Sequence, residues 1–72
     1  MKIILSALKA EAIPLIKYYE LLPNNSIGIQ IYRNDIITIL ITGVGKNNVN
    51  RTLSRYIKKS KNIEKAKFIN IG

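Results

Sequence analysis

The stretch Thr42-Gly43-Val44-Gly45-Lys46 sets two glycines and a lysine between a run of isoleucines and a helical segment, a place where many proteins hold a phosphate. Chemistry at such a loop comes from the backbone. Glycine tolerates positive φ and lets a ligand come close, and the amides that open the following helix carry partial positive charge. Two well-defined versions of the idea fail on spacing. Leu40 stands where a Walker A loop has its first glycine and Asn47 where it has its Ser or Thr. Gly43 and Gly45 match the first two glycines of the dinucleotide fingerprint, but Asn48 occupies the place of the third. A tight strand-to-helix turn and one wall of a different pocket remain. The second group with chemical potential is Glu11, in Ala7-Leu8-Lys9-Ala10-Glu11-Ala12. At a helix start a carboxylate complements the dipole by about 0.3–1 kcal/mol. In a cleft it could instead orient or deprotonate a water.

Both features need elements that carry them to one place. Residues 2–7 (KIILSA) form a short apolar run rich in branched side chains, and residues 10–22 repeat apolar positions at helical spacing. Ala12, Ile13, Leu15, Ile16, Tyr19 and Leu22 would form one buried face, with Pro14 near the first turn and Pro23-Asn24-Asn25 as the stop. Residues 27–33 alternate, with Ile27, Ile29 and Ile31 on one side, as a half-buried strand does. Asn34-Asp35 suits a hairpin turn. Residues 36–42 (IITILIT) are apolar almost throughout, which marks a central strand buried on both faces. From 48 to 59, Val49, Leu53, Tyr56 and Ile57 fall on one side of an amphipathic helix. A lysine-rich connection over 60–67 leads to a final strand, residues 68–72 (FINIG). The expectation is an α/β fold, a mixed sheet with flanking helices in the order β-α-β-β-α-β, within one partial domain spanning 1–72. Ligands in such sheets sit beyond the carboxyl ends of the strands.

Composition narrows the chemistry. The chain has no Cys and no His, so disulfides, thiolate ligands and the commonest general base are all missing, and a zinc site is excluded. No apolar stretch approaches the ~20 residues of a membrane span, and the amino terminus is no signal peptide, so a cytoplasmic location is expected. Lys and Arg number 12 against 4 Asp and Glu, a formal charge of +8, with eight of the cations between positions 46 and 67. A surface of this charge attracts polyanions. Abundant Ile, Lys and Asn would also follow from an A·T-rich genome.

Taken in order, these motifs resemble the amino-terminal third of the nucleoside phosphorylase superfamily, most closely its hydrolytic branch, the 5′-methylthioadenosine/S-adenosylhomocysteine nucleosidases. Ala7-Leu8-Lys9-Ala10-Glu11 is similar to the family's Ala-Met-Glu-Glu-Glu, Thr42-Gly43-Val44-Gly45-Lys46 to its Ser-Gly-Ile-Gly-Lys, and Phe68-Ile69-Asn70-Ile71-Gly72 to its Ile-Ile-Asn-Thr-Gly. The resemblance implies the amino-terminal part of a three-layer phosphorylase/hydrolase-like fold. It implies that Glu11 is the catalytic residue that holds and activates a hydrolytic water. Leu8 and Val44 would line the ribose and 5′-substituent part of the pocket, with Gly43 in the same substrate-binding turn. The reaction would be hydrolysis of a purine nucleoside's N-glycosidic bond, with no cofactor and no metal, and homodimers are a family habit.

Departures accompany the match. Lys9 and Ala10 replace two acidic residues, Ile71 replaces a threonine, and the Ser-Ala-Gly-Gly, Met-Glu pair and general-acid aspartate of the family are not in this chain. Leu22-Pro23-Asn24-Asn25-Ser26 stands where phosphate-dependent members carry Gly-Asp-Pro and an arginine, which favours hydrolase over phosphorylase. The expectation is therefore a truncated member, inactive alone. Two alternatives are a basic nucleic-acid module using Arg51, Arg55, Lys58, Lys59, Lys61, Lys65 and Lys67, and an assembly fragment that pairs through its exposed sheet. Few aromatic residues sit among those cations, so nucleic acid is not the expected partner.

Overall fold

The computed structural model describes residues 2–24, 28–59 and 67–71. They form β1 (Lys2–Ser6), α1 (Lys9–Tyr18), β2 (Leu22–Pro23), β3 (Gln30–Arg33), β4 (Ile37–Ile41), α2 (Lys46–Lys59) and β5 (Lys67–Ile71). This is a small α/β domain with a mixed five-stranded sheet in the order β2-β3-β4-β1-β5. β1 lies between β4 and β5 and is parallel to both, with Ser6 opposite Ile41 and Ile71. β3 runs antiparallel to β4, and β2 antiparallel to β3.

Alternation along the strands divides the core in two, because successive side chains point to opposite faces. Ile3 and Leu5 of β1 join Ile29, Ile31 and Leu40 on one face, where Leu53 and Tyr56 of α2 cover them. Ile4 joins Ala12, Leu21, Ile37 and Ile39 on the other, against Leu15 and Ile16 of α1. β4 is as central as its composition predicts, with Ile39 and Leu40 both 0% exposed. The hairpin turn falls one residue later than expected. The backbone N–H of Asn34 donates to the Ile37 carbonyl at 3.0 Å, and its Oδ1 accepts from the amides of Ile36 and Ile37. Ile36 thus belongs to the turn and β4 begins at Ile37.

The first helix is shorter than its apolar spacing suggests. It ends at Tyr18 and closes in a Schellman motif: Leu21 N–H donates to Ile16 at 2.9 Å and Glu20 N–H to Lys17 at 3.3 Å. Leu21 tucks into the α1-side core, which fixes the stop before Leu22. Leu22 instead enters β2, an element unmarked by periodicity, and is 71% exposed. Pro14 lies in the second turn and offers no N–H to the carbonyl of Ala10, whose exposure leaves that oxygen open to water. α2 begins two residues earlier than expected, and its buried stripe centres on Thr52, with Val49, Leu53 and Tyr56 beside it. At about 100° per residue, Ile57 falls roughly a quarter-turn from Tyr56 and stays largely exposed. Ile27 and Gly72, expected as strand residues, and most of the lysine-rich connection lie outside the described residues. Among the described residues, no helix is long and apolar enough to cross a membrane.

The Schellman closure rests on a left-handed Glu20, with φ +53°, at a position that favours glycine. Since this conformation costs a side-chain-bearing residue about 1–2 kcal/mol, Glu20→Gly should raise stability by about 1 kcal/mol. Urea unfolding reads the result, and an unchanged or lowered midpoint would contradict the assignment.

Candidate functional site at the carboxyl ends of β1 and β4

Parallel pairing of β1 with β4 brings the β1–α1 and β4–α2 turns together. The ladder runs past the strands themselves: Thr42 N–H donates to the Ser6 carbonyl at 2.8 Å, and Gly43 N–H to the Ala7 carbonyl at 3.1 Å. Buried hydroxyls reinforce this junction. Ser6 Oγ donates to the Leu8 carbonyl at 2.8 Å, and Thr42 Oγ1 to the Gly43 carbonyl at 2.9 Å. Thr52 Oγ1 reaches the Thr42 carbonyl at 3.5 Å, which ties α2 to the end of β4. The importance of Ser6, Thr42 and Thr52 was not read from the sequence. The available signal was the demand for donors where a buried strand ends, since buried carbonyls are nearly always paired.

Both glycines of the turn adopt positive φ, +82° at Gly43 and +100° at Gly45. A Cβ at Gly43 would sit 3.5 Å from the Asn48 side chain, while one at Gly45 would meet open space. Val44 between them is 67% exposed. Asn48 fastens the turn from inside the helix, its Nδ2 donating to the Val44 carbonyl at 2.7 Å.

Leu8 takes the N-cap of α1 in an extended conformation and contributes no capping hydrogen bond. It is 50% exposed on the same edge as Val44. Glu11 follows in the first turn, also exposed. Of the four expected site residues, Leu8, Gly43 and Val44 belong to the two turns joined by the β1–β4 ladder, and Glu11 lies in the first turn of α1 that follows one of them. Lys9, where the resembling family is acidic, lies over the Tyr32 ring with its Nζ 5.5 Å from the centroid. That cation–π contact gives the lysine a role in packing α1 against β3.

A cleft of about 320 Å³ opens beside this edge on the α2 side. It is lined by Gly28 and Gln30 beside β3, by Thr42 and Gly43 after β4, and by Asn48, Arg51 and Arg55 of α2. Gly43 is the one expected site residue that lines it; Leu8, Glu11 and Val44 do not. The sequence presents Arg51 and Arg55 as part of a basic nucleic-acid module and does not single them out as a pair. Their spacing of four put them on one helical face, which was the available signal.

The other carboxylates among the described residues lie elsewhere. Asp35 occupies the β3–β4 turn at the opposite edge, and Asn34 Nδ2 donates to the Tyr19 carbonyl at 3.0 Å, which places Glu20 near that same edge. Glu11 therefore has no second carboxylate beside it among the described residues. If positive φ is what the two glycines supply, Gly43→Ala and Gly45→Ala should each lower stability by about 1–2 kcal/mol. Denaturant midpoints matching the parent would show that the turn can relax and that its conformation is not demanded. No family model, curated protein or solved structure matches the chain.

Proposed function

We propose that the chain forms the amino-terminal wall of a nucleoside-binding site of the methylthioadenosine/adenosylhomocysteine nucleosidase kind and does not hydrolyse nucleosides by itself. The observation that supports this reading is the junction of the β1–α1 and β4–α2 turns at the carboxyl ends of parallel strands, where α/β sheets of this kind receive ligands. On this reading the exposed side chains of Leu8 and Val44 face the ribose and its 5′-substituent, and Gly43 lets the sugar approach the backbone. Glu11 accepts a proton from a water that attacks the anomeric carbon. The bond to the base breaks with its electron pair moving onto the purine, which needs a proton from an acid.

That second group is what these residues lack. General acid–base catalysis requires groups within hydrogen-bond reach of both the attacking water and the departing atom. Glu11 is the one described carboxylate on this edge, and the chain has neither His nor Cys to replace an acid. One wall holding one carboxylate can bind and orient, but cannot complete the proton transfers. Hydrolysis is favoured over phosphorolysis by the residues after α1, where Leu22–Pro23 forms a short strand at the far edge of the sheet and carries no arginine.

Two assays test the reading. The purified chain incubated with methylthioadenosine should release adenine no faster than buffer does, and release above that level would refute its inactivity. Joined to the carboxy-terminal part of an active nucleosidase, the chain should support adenine release that falls by about a hundredfold or more in Glu11→Gln, the lower end of the usual contribution of a positioned base. A folded chimera without activity, or one indifferent to Glu11→Gln, would contradict the assignment.

A further inference from the structure

We propose that the cleft between α2 and the β3–β4 hairpin is a binding site for a phosphate group, either free or carried by a small monoester, with Arg51 and Arg55 as its ligands. The site is distinct from the nucleoside edge, because Leu8, Glu11 and Val44 are not among its walls. It therefore stands or falls independently of the nucleosidase reading.

Arg51 and Arg55 stand one helical turn apart and both border the cavity. Like charges at this spacing destabilise a helix unless something between them relieves the repulsion. Among the described residues, no carboxylate lines the cleft to do so. Each guanidinium carries five N–H donors in a planar fork, the geometry that matches phosphate oxygens. One of these donors already has a fixed use. Arg51 donates through Nη2 to Asn48 Oδ1, while Asn48 is itself anchored to the Val44 carbonyl. These contacts tie the first guanidinium to Asn48, which also lines the cleft.

Gly28 lines the cleft beside Arg55. Its φ of +76° suits glycine, and a Cβ there would sit 3.4 Å from Nη1 of Arg55. The second guanidinium thus lies against bare backbone. A cavity of about 320 Å³ falls within the range of small-molecule sites and leaves room for the group that carries the phosphate. A single-stranded nucleic acid is a poorer match, because binding of that kind stacks bases on aromatic side chains and no aromatic residue among those described lines this cleft.

Amide NMR spectra of the full chain, titrated with inorganic phosphate at constant ionic strength, test the proposal. Saturable shifts are expected at Thr42, Gly43 and Asn48, with glycerol 3-phosphate saturating the same amides. The double variant Arg51→Gln/Arg55→Gln should weaken binding by about tenfold or more, as expected when charge-assisted contacts are removed. Lys58→Gln/Lys59→Gln, which removes equal charge from the same helix, should change it by less than about twofold, because exposed charges farther away are screened. Arg51→Lys/Arg55→Lys keeps the charge but loses the fork and should fall between the two, which keeps the test decisive if the glutamine variant misfolds. Shifts that never saturate and spread over the lysines, or equal losses in the arginine and lysine pairs, would overturn the site. So would an oligonucleotide that moves these amides when phosphate and glycerol 3-phosphate do not.

Discussion

Everything at the carboxyl edge of this domain depends on the parallel ladder between β1 and β4. Register fixes Ser6 opposite Ile41, and the two hydrogen bonds beyond it, from Thr42 and Gly43, carry the pairing into both turns. Shifting one strand by a single residue would turn its apolar side chains to the wrong face, so the two-sided core enforces the register. Ile39 on the α1 side and Leu40 on the α2 side, both without exposed surface, hold it from opposite directions. Full burial of side chains of this size contributes roughly 1.5–3 kcal/mol each, a large share of the stability of so small a domain. The glycines of the β4–α2 turn, both at positive φ, follow directly on this ladder.

The turn also lies between the two proposed sites, which differ in character. On one side it pairs with the β1–α1 turn, where Leu8 is exposed and Glu11 follows in the first turn of α1. On the other it borders a cleft lined by two arginines. Gly43 belongs to both. Its missing side chain leaves the backbone accessible from either direction, and Asn48 fixes its neighbour Val44 through one hydrogen bond. The buried hydroxyls of Ser6, Thr42 and Thr52 satisfy carbonyls at the junction, and among the described residues no buried side-chain nitrogen or oxygen is left without a partner.

Legibility in the sequence followed the strength of local constraint. The near-continuous apolarity of the segment after Asp35 identified the central strand, and alternation of Ile29 with Ile31 identified its hairpin partner. Gly43 and Gly45 marked a strand-to-helix turn because glycine tolerates positive φ, and both adopt it. Tertiary effects were harder to see. Leu21 ended α1 early by entering the core through a Schellman motif, although Leu22 continued the helical spacing. Thr52 became the centre of α2's buried stripe because the Thr42 carbonyl needed a donor, while Ile57 fitted the apolar pattern and stayed exposed. Arg51 and Arg55 stood in the sequence as two of the seven cations of a basic module. That both border one cleft depended on where β3 and Gly28 would lie.

Native-state hydrogen exchange at Thr42 and Gly43 tests the central claim most directly. If the ladder continues beyond Ile41, these two amides are protected together with those of β4 and open only with the sheet. Exchange at the rate of an unstructured chain, with β4 still protected, would show that the turns are not joined. The shared edge on which both sites depend would then not exist.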